Sequence, residues 1–248
     1  CLKDKSQYYY VPILTLIGNI GAVLGVFIHI KKKIGLSFCR VKWIEVMDTF
    51  KKSSIFFYSR IASTVYSVTN TFILGFVYGN NAGTVGLFSA SDKLITTGKQ
   101  GLTPITDSLY PYMIRKRDFK LVKKMLLIFM PIITVGCIIV AIIANPLCAI
   151  LFGKEFRSAG TYLRLLLPVV WCSFPSMVFG FPVLSPMGLV KYANLSNVFG
   201  AVIQIVQLLI MAWVGEVTVY NICIATCITE IFTLLFRVTI VYKNRKRM

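Results

Sequence analysis

The sequence predicts an all-α protein, a polytopic membrane helix bundle with about seven transmembrane helices. Of its 248 residues, 56% are apolar and only 15% are charged, whereas soluble domains carry roughly 25% charged residues. The mean hydropathy is strongly positive, and apolar stretches of about 20 residues, the length that crosses a bilayer, recur along the chain. This composition excludes a disordered chain, a coiled coil and a secreted disulfide scaffold, and it argues against a soluble enzyme.

Seven stretches are long enough to cross a bilayer when the chain is scanned in windows of about 19 residues. They cover residues 8–30, 54–78, 83–110, 122–145, 159–184, 192–214 and 218–242. The second and third are the least apolar. Between the first two stretches, the basic segment 31–53 places Trp43, Met47 and Phe50 at helical spacing, which is typical of an amphipathic helix on a membrane surface.

Basic residues in the connecting segments predict the orientation, because lysine and arginine are retained on the cytoplasmic side. Alternate connections, at residues 31–53, 111–124, 191 and 243–247, hold eighteen basic residues, and the opposite connections hold four. The first span therefore runs from outside to inside, and the C-terminus is cytoplasmic. Topology accounts for most of the formal net charge of +18, so that nucleic acid is not expected as a partner.

The position of the basic segment predicts three parts of the chain. Residues 1–30 are the last helix of an N-terminal bundle, residues 31–53 are a cytoplasmic amphipathic linker, and residues 54–248 are a six-helix C-terminal bundle. Cys1 stands where a complete chain would have methionine, which favours a fragment of a longer protein. Seven spans also suit a receptor of the rhodopsin class, but the last span has no lysine that could hold a retinal Schiff base.

Polar residues recur within the second and third spans at intervals of three and four, so that each set lies on one face of a helix. The second span contributes Arg60, Ser63, Thr64, Ser67, Asn70 and Thr71, and the third contributes Ser89, Asp92, Lys93, Thr96, Lys99, Gln100, Thr103 and Asp107. The opposite face of the second span, with Ile61, Val65, Val68 and Phe72, suits lipid. We expect the two polar faces to turn inward.

Two interpretations of these polar faces remain open. Hydroxyl and amide groups can join neighbouring helices by hydrogen bonds of about 0.6 kcal/mol each. However, the two spans hold three cations, Arg60, Lys93 and Lys99, against two anions, Asp92 and Asp107. Because a charge inside the bilayer costs about 2.5–3.5 kcal/mol on insertion scales, the excess cation favours a water-filled cavity for an anionic ligand.

The last span holds a weaker polar cluster with Glu230 and Arg237 two turns apart. A structural pair, or an arginine that snorkels to the nearby surface, is favoured there, and Glu230 is the candidate for ion coupling. The seven cysteines lie mostly in apolar runs and His29 is the one histidine, so no metal site is predicted. Phosphate-binding loops, zinc helices and nucleophile elbows are absent from the sequence, and the chain is not expected to be an enzyme.

Several segments resemble bacterial polysaccharide flippases, the O-antigen or Wzx-type members of the multidrug/oligosaccharidyl-lipid/polysaccharide exporter superfamily. The stretch from Val85 to Leu94, continuing through Gly101–Ile105 to Leu109–Pro111, resembles their eighth-helix signature. Residues 151–156 are similar to the loop before helix ten, and residues 182–188 are similar to the segment before helix eleven.

This resemblance implies a transporter that flips undecaprenyl-pyrophosphate-linked oligosaccharide across the bacterial inner membrane for O-antigen, capsule or exopolysaccharide synthesis. The seven spans would be helices six to twelve of a twelve-helix protein without a cofactor, coupled to H⁺ or Na⁺. Its partners would be the lipid-linked oligosaccharide, membrane lipids and the polysaccharide polymerase machinery. The substrate-binding candidates are Arg60, Lys93, Lys99, Ser67, Asn70 and Asp92. The alternatives are a drug/cation antiporter or a peptidoglycan-precursor flippase of the same superfamily, or a non-transport receptor or scaffold.

Overall fold

The computed structural model describes residues 10–33, 42–79 and 82–245, and these residues form helices joined by short turns, with no strand among them. The predicted all-α, polytopic membrane bundle is confirmed. The helices are α1 (Tyr10–Lys33), α2 (Trp43–Val77), α3 (Ala82–Lys116), α4 (Phe119–Phe152), α5 (Ala159–Phe179), the short α6 (Phe181–Leu184), α7 (Val190–Val214) and α8 (Val219–Lys243). A 3₁₀ turn at Lys154–Ser158 precedes α5.

Five helical stretches in the described part of the chain are both long and apolar enough to cross a membrane. They are Pro12–Lys33, Phe119–Phe152, Lys154–Leu184, Val190–Val214 and Val219–Lys243. Helices α2 and α3 have 35 residues each, enough to cross a bilayer, but their polar faces lower their hydropathy. The chain therefore forms a multi-pass membrane protein. The two long helices that are not among the five apolar stretches, α2 and α3, correspond to the two predicted spans that are least apolar.

The chain divides into two compact units, Cys1–Phe50 and Lys51–Met248. The first unit holds α1 and the beginning of α2, and the second holds the rest of α2 and helices α3–α8. Residues 34–41 of the predicted linker lie outside the described residues. The remaining amphipathic residues, from Trp43 onward, belong to the same continuous helix as the second predicted span. The division into two bundles stays a prediction.

Short polar turns set the helix ends in the second unit. The Asp118 carboxylate accepts hydrogen bonds from the backbone N–H groups of Lys120 (3.0 Å) and Leu121 (3.2 Å), and so caps the first turn of α4. Helix α7 ends at Gly215, whose φ of +79° is the left-handed conformation that glycine adopts without a steric penalty. Three residues later, the Thr218 hydroxyl accepts from the backbone N–H of Asn221 and caps α8.

Helix α5 is the centre of the second unit. It packs against α3, α4 and α8, while α7 packs on α8. Much of α5 is buried, whereas few side chains of α4 are fully buried and many of its apolar side chains are exposed. Two apolar cores hold these helices together. Core 1 includes Leu74, Phe88, Leu163, Leu208 and Ile222, and core 2 includes Met113, Ile133, Phe174, Leu184 and Val241.

The two cores lie at opposite ends of the helices. Core 1 draws on the beginnings of α3, α5 and α8 and on the ends of α2, α4 and α7. Core 2 draws on the end of α3, the end of α5, α6 and the beginnings of α4 and α7. Core 1 thus fills one end of the bundle with apolar side chains. At the other end, core 2 joins α4 to α3, α5, α6 and α7.

Gly160 of α5 lies directly against the backbone of α4, so a substitution at this position tests the close packing of the two helices. A Cβ added there would lie 2.6 Å from the backbone nitrogen of Asn145 and 2.8 Å from the carbonyl carbon of Ala144. Because backbone atoms cannot move aside easily, we expect Gly160→Ala to lower the free energy of unfolding by about 1–3 kcal/mol. Thermal denaturation of the purified full-length protein in detergent measures this change.

Gly136→Ala is the matched control, because a Cβ at Gly136 meets no atom within 4 Å. Alanine favours a helix over glycine by about 1 kcal/mol, so this variant should be at least as stable as the wild type. Equal melting temperatures for the two variants would contradict the close contact between α4 and α5.

Candidate substrate-binding cavity

A cavity of about 950 Å³ lies within the Lys51–Met248 unit, a size suited to a small-molecule site. Helices α2, α3, α5, α6, α7 and α8 line it. The polar and charged lining residues are Arg60, Asn70, Asp92, Thr96, Lys99, Gln100, Thr103, Thr106, Asp107, Tyr110, Ser173, Ser176, Asn197, Thr226, Thr229, Glu230, Thr233 and Arg237.

The cavity occupies the middle of the bundle and extends away from core 1. Its lining runs along α5 from Leu166 to Met177 and continues to Phe181 in α6, at the end of the bundle opposite the start of α5. Core 1 fills the other end with buried apolar side chains. Any ligand in the cavity therefore lies on one side of a packed apolar layer.

The polar face of α3 turns into the cavity, as the spacing predicted. Its lining residues are Asp92, Thr96, Lys99, Gln100, Thr103, Thr106, Asp107 and Tyr110, which share one side of the helix. Ser89 and Lys93 are not among the lining residues, and the Lys93 side chain is exposed. The substrate-binding role of Lys93 stays a prediction. Its position outside the cavity lining does not support that role.

Helix α2 contributes fewer residues to the cavity than its sequence pattern predicts. Arg60 and Asn70 line it, but Thr64 lies in a separate shallow depression with Val65, Val68 and Phe72. The side chains of Ser63 and Ser67 lie outside the described part of the structure. Along the lipid-suited face, Ile61, Val65, Val68 and Phe72 are exposed, in agreement with the predicted apolar face.

Asn70 is buried and joins three helices. Its amide Nδ2 donates to the Thr226 hydroxyl of α8 at 3.0 Å, and its Oδ1 accepts from Gln204 Nε2 of α7 at 2.7 Å. The Thr229 hydroxyl donates to Gln204 Oε1 at 2.7 Å and accepts from Gln207 Nε2 at 3.0 Å. This predicted substrate-binding residue is thus part of an interhelical hydrogen-bond network, which is one of the two interpretations that the sequence left open.

Lys99 and Glu230 form an ion pair in the cavity wall. The Lys99 Nζ lies 3.2 Å from Glu230 Oε1, and the two side chains are 24% and 12% exposed. The Ser173 hydroxyl donates to the same carboxylate oxygen at 2.5 Å. This pair joins α3 to α8, and Ser173 adds α5. Both ionised residues are conspicuous in the sequence, but their spacing does not predict that they meet.

Arg237 is buried in the bundle, whereas its position near the end of the last span favoured a pair with Glu230 or a place at the surface. It is 8% exposed and neither snorkels nor pairs with Glu230 through a hydrogen bond. Its Nε donates to the Ser196 hydroxyl (2.8 Å), its Nη1 to the carbonyl oxygen (2.7 Å) and hydroxyl (3.1 Å) of Ser176, and its Nη2 to Asn197 Oδ1 (2.7 Å). Five N–H groups in a planar fork match this set of acceptors. The sequence indicates this site only through polar residues within apolar spans, namely Ser176 in α5 and Ser196 and Asn197 in α7.

Asn197 extends this arginine site to a fourth helix. Its Nδ2 donates to the Ser59 hydroxyl of α2 at 3.1 Å, while its Oδ1 accepts from Arg237. The guanidinium of α8 is therefore held by α5 and α7, and α2 is tied to it through one amide. All of the hydrogen-bond acceptors of Arg237 in the described residues are neutral, so the site concentrates positive charge at the cavity wall.

Charge in the cavity is balanced in number. Among the described lining residues, Arg60, Lys99 and Arg237 are cations, and Asp92, Asp107 and Glu230 are anions. The excess cation counted from the two spans does not carry over to the lining, because Lys93 lies outside it and α8 adds one charge of each sign. The cations of the lining differ in their partners. Lys99 pairs with the Glu230 carboxylate, whereas Arg237 donates hydrogen bonds to neutral groups.

Metal ligands are not gathered anywhere in the described ranges, where no group of three or more His, Cys, Asp or Glu side chains could hold an ion.

Comparison with known proteins agrees with the resemblance stated from the motifs. Residues 1–117 match the family model described as "Polysaccharide biosynthesis protein". Over 221 residues, the chain is 24% identical to a Shigella dysenteriae protein named "Putative O-antigen transporter", and the match covers 88% of this chain and 54% of that protein. No solved structure matches the chain.

The predicted resemblance to polysaccharide flippases is confirmed by these similarities. This chain spans about half the length of the curated relative that it matches. The aligned region includes most of the helices that line the cavity, since it covers 88% of this chain.

The amide network generates a prediction about Asn70. Replacing it by leucine, which has a similar volume, removes two hydrogen bonds and leaves Gln204 without one of its partners. At about 0.6 kcal/mol, and at most about 1.7 kcal/mol, for each bond between membrane helices, we expect Asn70→Leu to lower the free energy of unfolding by about 1–2 kcal/mol. Thermal denaturation of the full-length protein without substrate measures it.

The matched control is Thr96→Val, which replaces a lining hydroxyl that has no hydrogen-bond partner in the described part of the structure. It should leave the melting temperature unchanged. A normal melting temperature for Asn70→Leu would contradict a structural role, and loss of substrate binding alone would then identify Asn70 as a ligand contact.

Proposed function

We propose that this chain forms the substrate cavity of a flippase that moves undecaprenyl-pyrophosphate-linked oligosaccharide across the bacterial inner membrane. The observation that carries the proposal is a cavity of about 950 Å³ inside a membrane helix bundle, lined by hydroxyl and amide groups and by three cations and three carboxylates. The similarity to polysaccharide biosynthesis proteins and to the Shigella protein supports the class of cargo. The activity is transport, without a chemical reaction on the substrate.

The cations suit the pyrophosphate of the lipid carrier. Charge-assisted hydrogen bonds to phosphate are about twice as strong as neutral ones, and arginine presents a planar fork that fits phosphate oxygens. Arg60 lines the cavity with an exposed side chain, so that it is accessible to a ligand. Arg237 adds positive potential from the wall, where neutral acceptors fix its position.

The neutral polar groups suit the sugars. Oligosaccharides are recognised through hydroxyl groups that both donate and accept, and the side chains of Thr96, Gln100 and Thr103 in α3 can do both. Asp92 and Asp107 on the same face can accept from sugar hydroxyls. A cavity with these groups beside its cations fits a ligand that is anionic at one end and neutral and polar at the other.

The predicted orientation places the cavity on the cytoplasmic side. Loop charges put the beginning of α7 and the end of α8 in the cytoplasm, and the cavity extends toward that end while core 1 packs the other. In the proposed cycle, this arrangement is the inward-facing state that receives the substrate from the cytoplasmic leaflet. Separation of the apolar side chains of core 1 would open the outer side.

Replacing Arg60 tests the proposal. If Arg60 contacts the pyrophosphate, Arg60→Ala removes a charge-assisted hydrogen bond worth about 1.5–3 kcal/mol, which is at least a tenfold loss of affinity. Binding of undecaprenyl pyrophosphate to the purified full-length protein measures it, and surface polysaccharide in cells that depend on the variant reports the consequence for transport.

The control is Arg157→Ala, which removes an exposed arginine from the 3₁₀ turn outside the cavity. It should leave binding and polysaccharide at the wild-type level. Wild-type binding by Arg60→Ala would contradict its role. Selective binding of lipophilic cations, with no affinity for undecaprenyl pyrophosphate, would instead identify a drug exporter that uses the three lining carboxylates.

A further inference from the structure

We propose that the turn between α3 and α4, together with the exposed face of α4 beside it, binds an anionic glycerophospholipid of the surrounding membrane through its headgroup phosphate. The site lies outside the cavity, and it does not depend on the proposed function. Six cationic side chains form this basic turn: Arg115, Lys116, Arg117, Lys120, Lys123 and Lys124.

The basic turn has no counter-ion in the described part of the chain. All six side chains are exposed, and none of them has a hydrogen bond or an ion pair to another described residue. Asp118 is the one acidic residue between Arg115 and Lys124, and its carboxylate accepts from two backbone N–H groups of α4. The turn therefore presents concentrated positive charge to its surroundings.

Helix stability does not explain the lysines of α4. The N-terminal end of a helix carries partial positive charge, so cations there are destabilising, whereas cations at a C-terminal end, such as Arg115 and Lys116 of α3, are stabilising. Lys120, Lys123 and Lys124 lie in the first two turns of α4, which hold no acidic residue. Topology favours cations in this connection, but it does not require them at a helix end that they destabilise. A bound anion would compensate them.

Arg117 adds a second local cost. Its φ of +49° is left-handed, and no other non-glycine residue in the described ranges has a positive φ. Its backbone N–H donates to the Met113 carbonyl oxygen at 3.0 Å, so Arg117 occupies the position after a helix that often holds glycine, which adopts this conformation without a steric penalty. A charged side chain at a strained position indicates a use for the charge.

The face of α4 that carries two of these lysines continues as an apolar stripe. Steps of three and four residues from Lys120 through Lys124 stay on one side of the helix, because successive residues turn by about 100°. The next members of this stripe are all exposed: Leu127, Pro131, Val135, Ile138 and Ile142. No charged residue lies between Lys124 and Phe152, so the lysines stand where the membrane-spanning part of α4 begins.

The charge and the stripe together select the ligand. Lysine and arginine form charge-assisted hydrogen bonds with phosphate oxygens, and an acyl chain can lie along the apolar stripe. A soluble phosphate or a nucleic acid would use the basic turn alone. A zwitterionic phospholipid carries an ammonium that the basic turn repels. Phosphatidylglycerol, whose headgroup has a net negative charge, fits both parts of the site.

Native mass spectrometry of the full-length protein in detergent, titrated with phosphatidylglycerol, measures the affinity for the first bound lipid. The wild type should bind phosphatidylglycerol more tightly than phosphatidylethanolamine. The double variant Lys120→Gln/Lys124→Gln should bind phosphatidylglycerol about 25-fold more weakly, which is about fivefold for each basic residue at an anionic headgroup. Its affinity for phosphatidylethanolamine should not change.

The matched control is Lys154→Gln/Arg157→Gln. It removes the same charge from two exposed side chains in the 3₁₀ turn at the other end of α4, and it should keep the wild-type affinity for phosphatidylglycerol. Glycerophosphoglycerol, which is the headgroup without acyl chains, should not displace the bound lipid, because it makes no contact with the apolar stripe.

Arg117→Gly separates lipid binding from a structural role. Glycine relieves the left-handed backbone, so without added lipid this variant should melt at the wild-type temperature or above. Its affinity for phosphatidylglycerol should fall about fivefold, because one cation is lost. A lower melting temperature with unchanged lipid binding would instead show that Arg117 has a structural role only.

Three results would overturn the site. The first is equal affinity of the wild type for phosphatidylglycerol and phosphatidylethanolamine. The second is an equal loss of affinity in the two double variants, which would show that only the net charge matters. The third is displacement of the lipid by glycerophosphoglycerol, which would identify an anion site without a role for α4. If Lys120→Gln/Lys124→Gln does not fold, Arg117→Gly and the comparison of the two lipids still decide the matter.

Discussion

The structure depends on the need to compensate ionised side chains inside a helix bundle that crosses a membrane. A bilayer interior offers no water, so that each charge must find a partner, neutral hydrogen-bonding groups or a wet cavity. This unit uses all three. Lys99 has Glu230, Arg237 has Ser176, Ser196 and Asn197, and Arg60 lies exposed in the cavity wall. These contacts join α3, α5, α7 and α8.

The same requirement explains which helices are apolar and which are not. Helix α4 carries no charged residue between Lys124 and Phe152 and exposes many of its apolar side chains, so its exposed face suits contact with lipid. Helix α3 carries four charged residues between Asp92 and Asp107, and most of these face the cavity. The sequence pattern could therefore predict the helices, their class and the polar face of α3, because these depend on periodicity within one segment.

Contacts between distant segments could not be predicted in this way. Lys99 and Glu230 are 131 residues apart, and Arg237 and Ser176 are 61 apart, so that no spacing rule relates them. The position of Arg237 near the end of the last span favoured snorkelling, yet acceptors on α5 and α7 hold it in the interior. Lys93 lies outside the lining for a local reason. It follows Asp92 by one residue, and about 100° of helical rotation takes its side chain away from the cavity.

The hydrogen bonds of the wall indicate which of its helices can recognise a ligand. Asn70, Gln204, Thr226 and Thr229 bond to one another, and this network fixes α2, α7 and α8. Thr96 and Gln100 of α3 line the cavity without a partner in the described part of the chain. Binding a sugar hydroxyl there would break no existing bond, whereas binding at Asn70 would have to replace one. The lining thus combines a wall of side chains that bond to one another with one helix, α3, on which Thr96 and Gln100 have no such bonds in the described part of the chain. If the cavity holds the cargo as proposed, contacts with α3 suit binding and release better than contacts that also hold the bundle together.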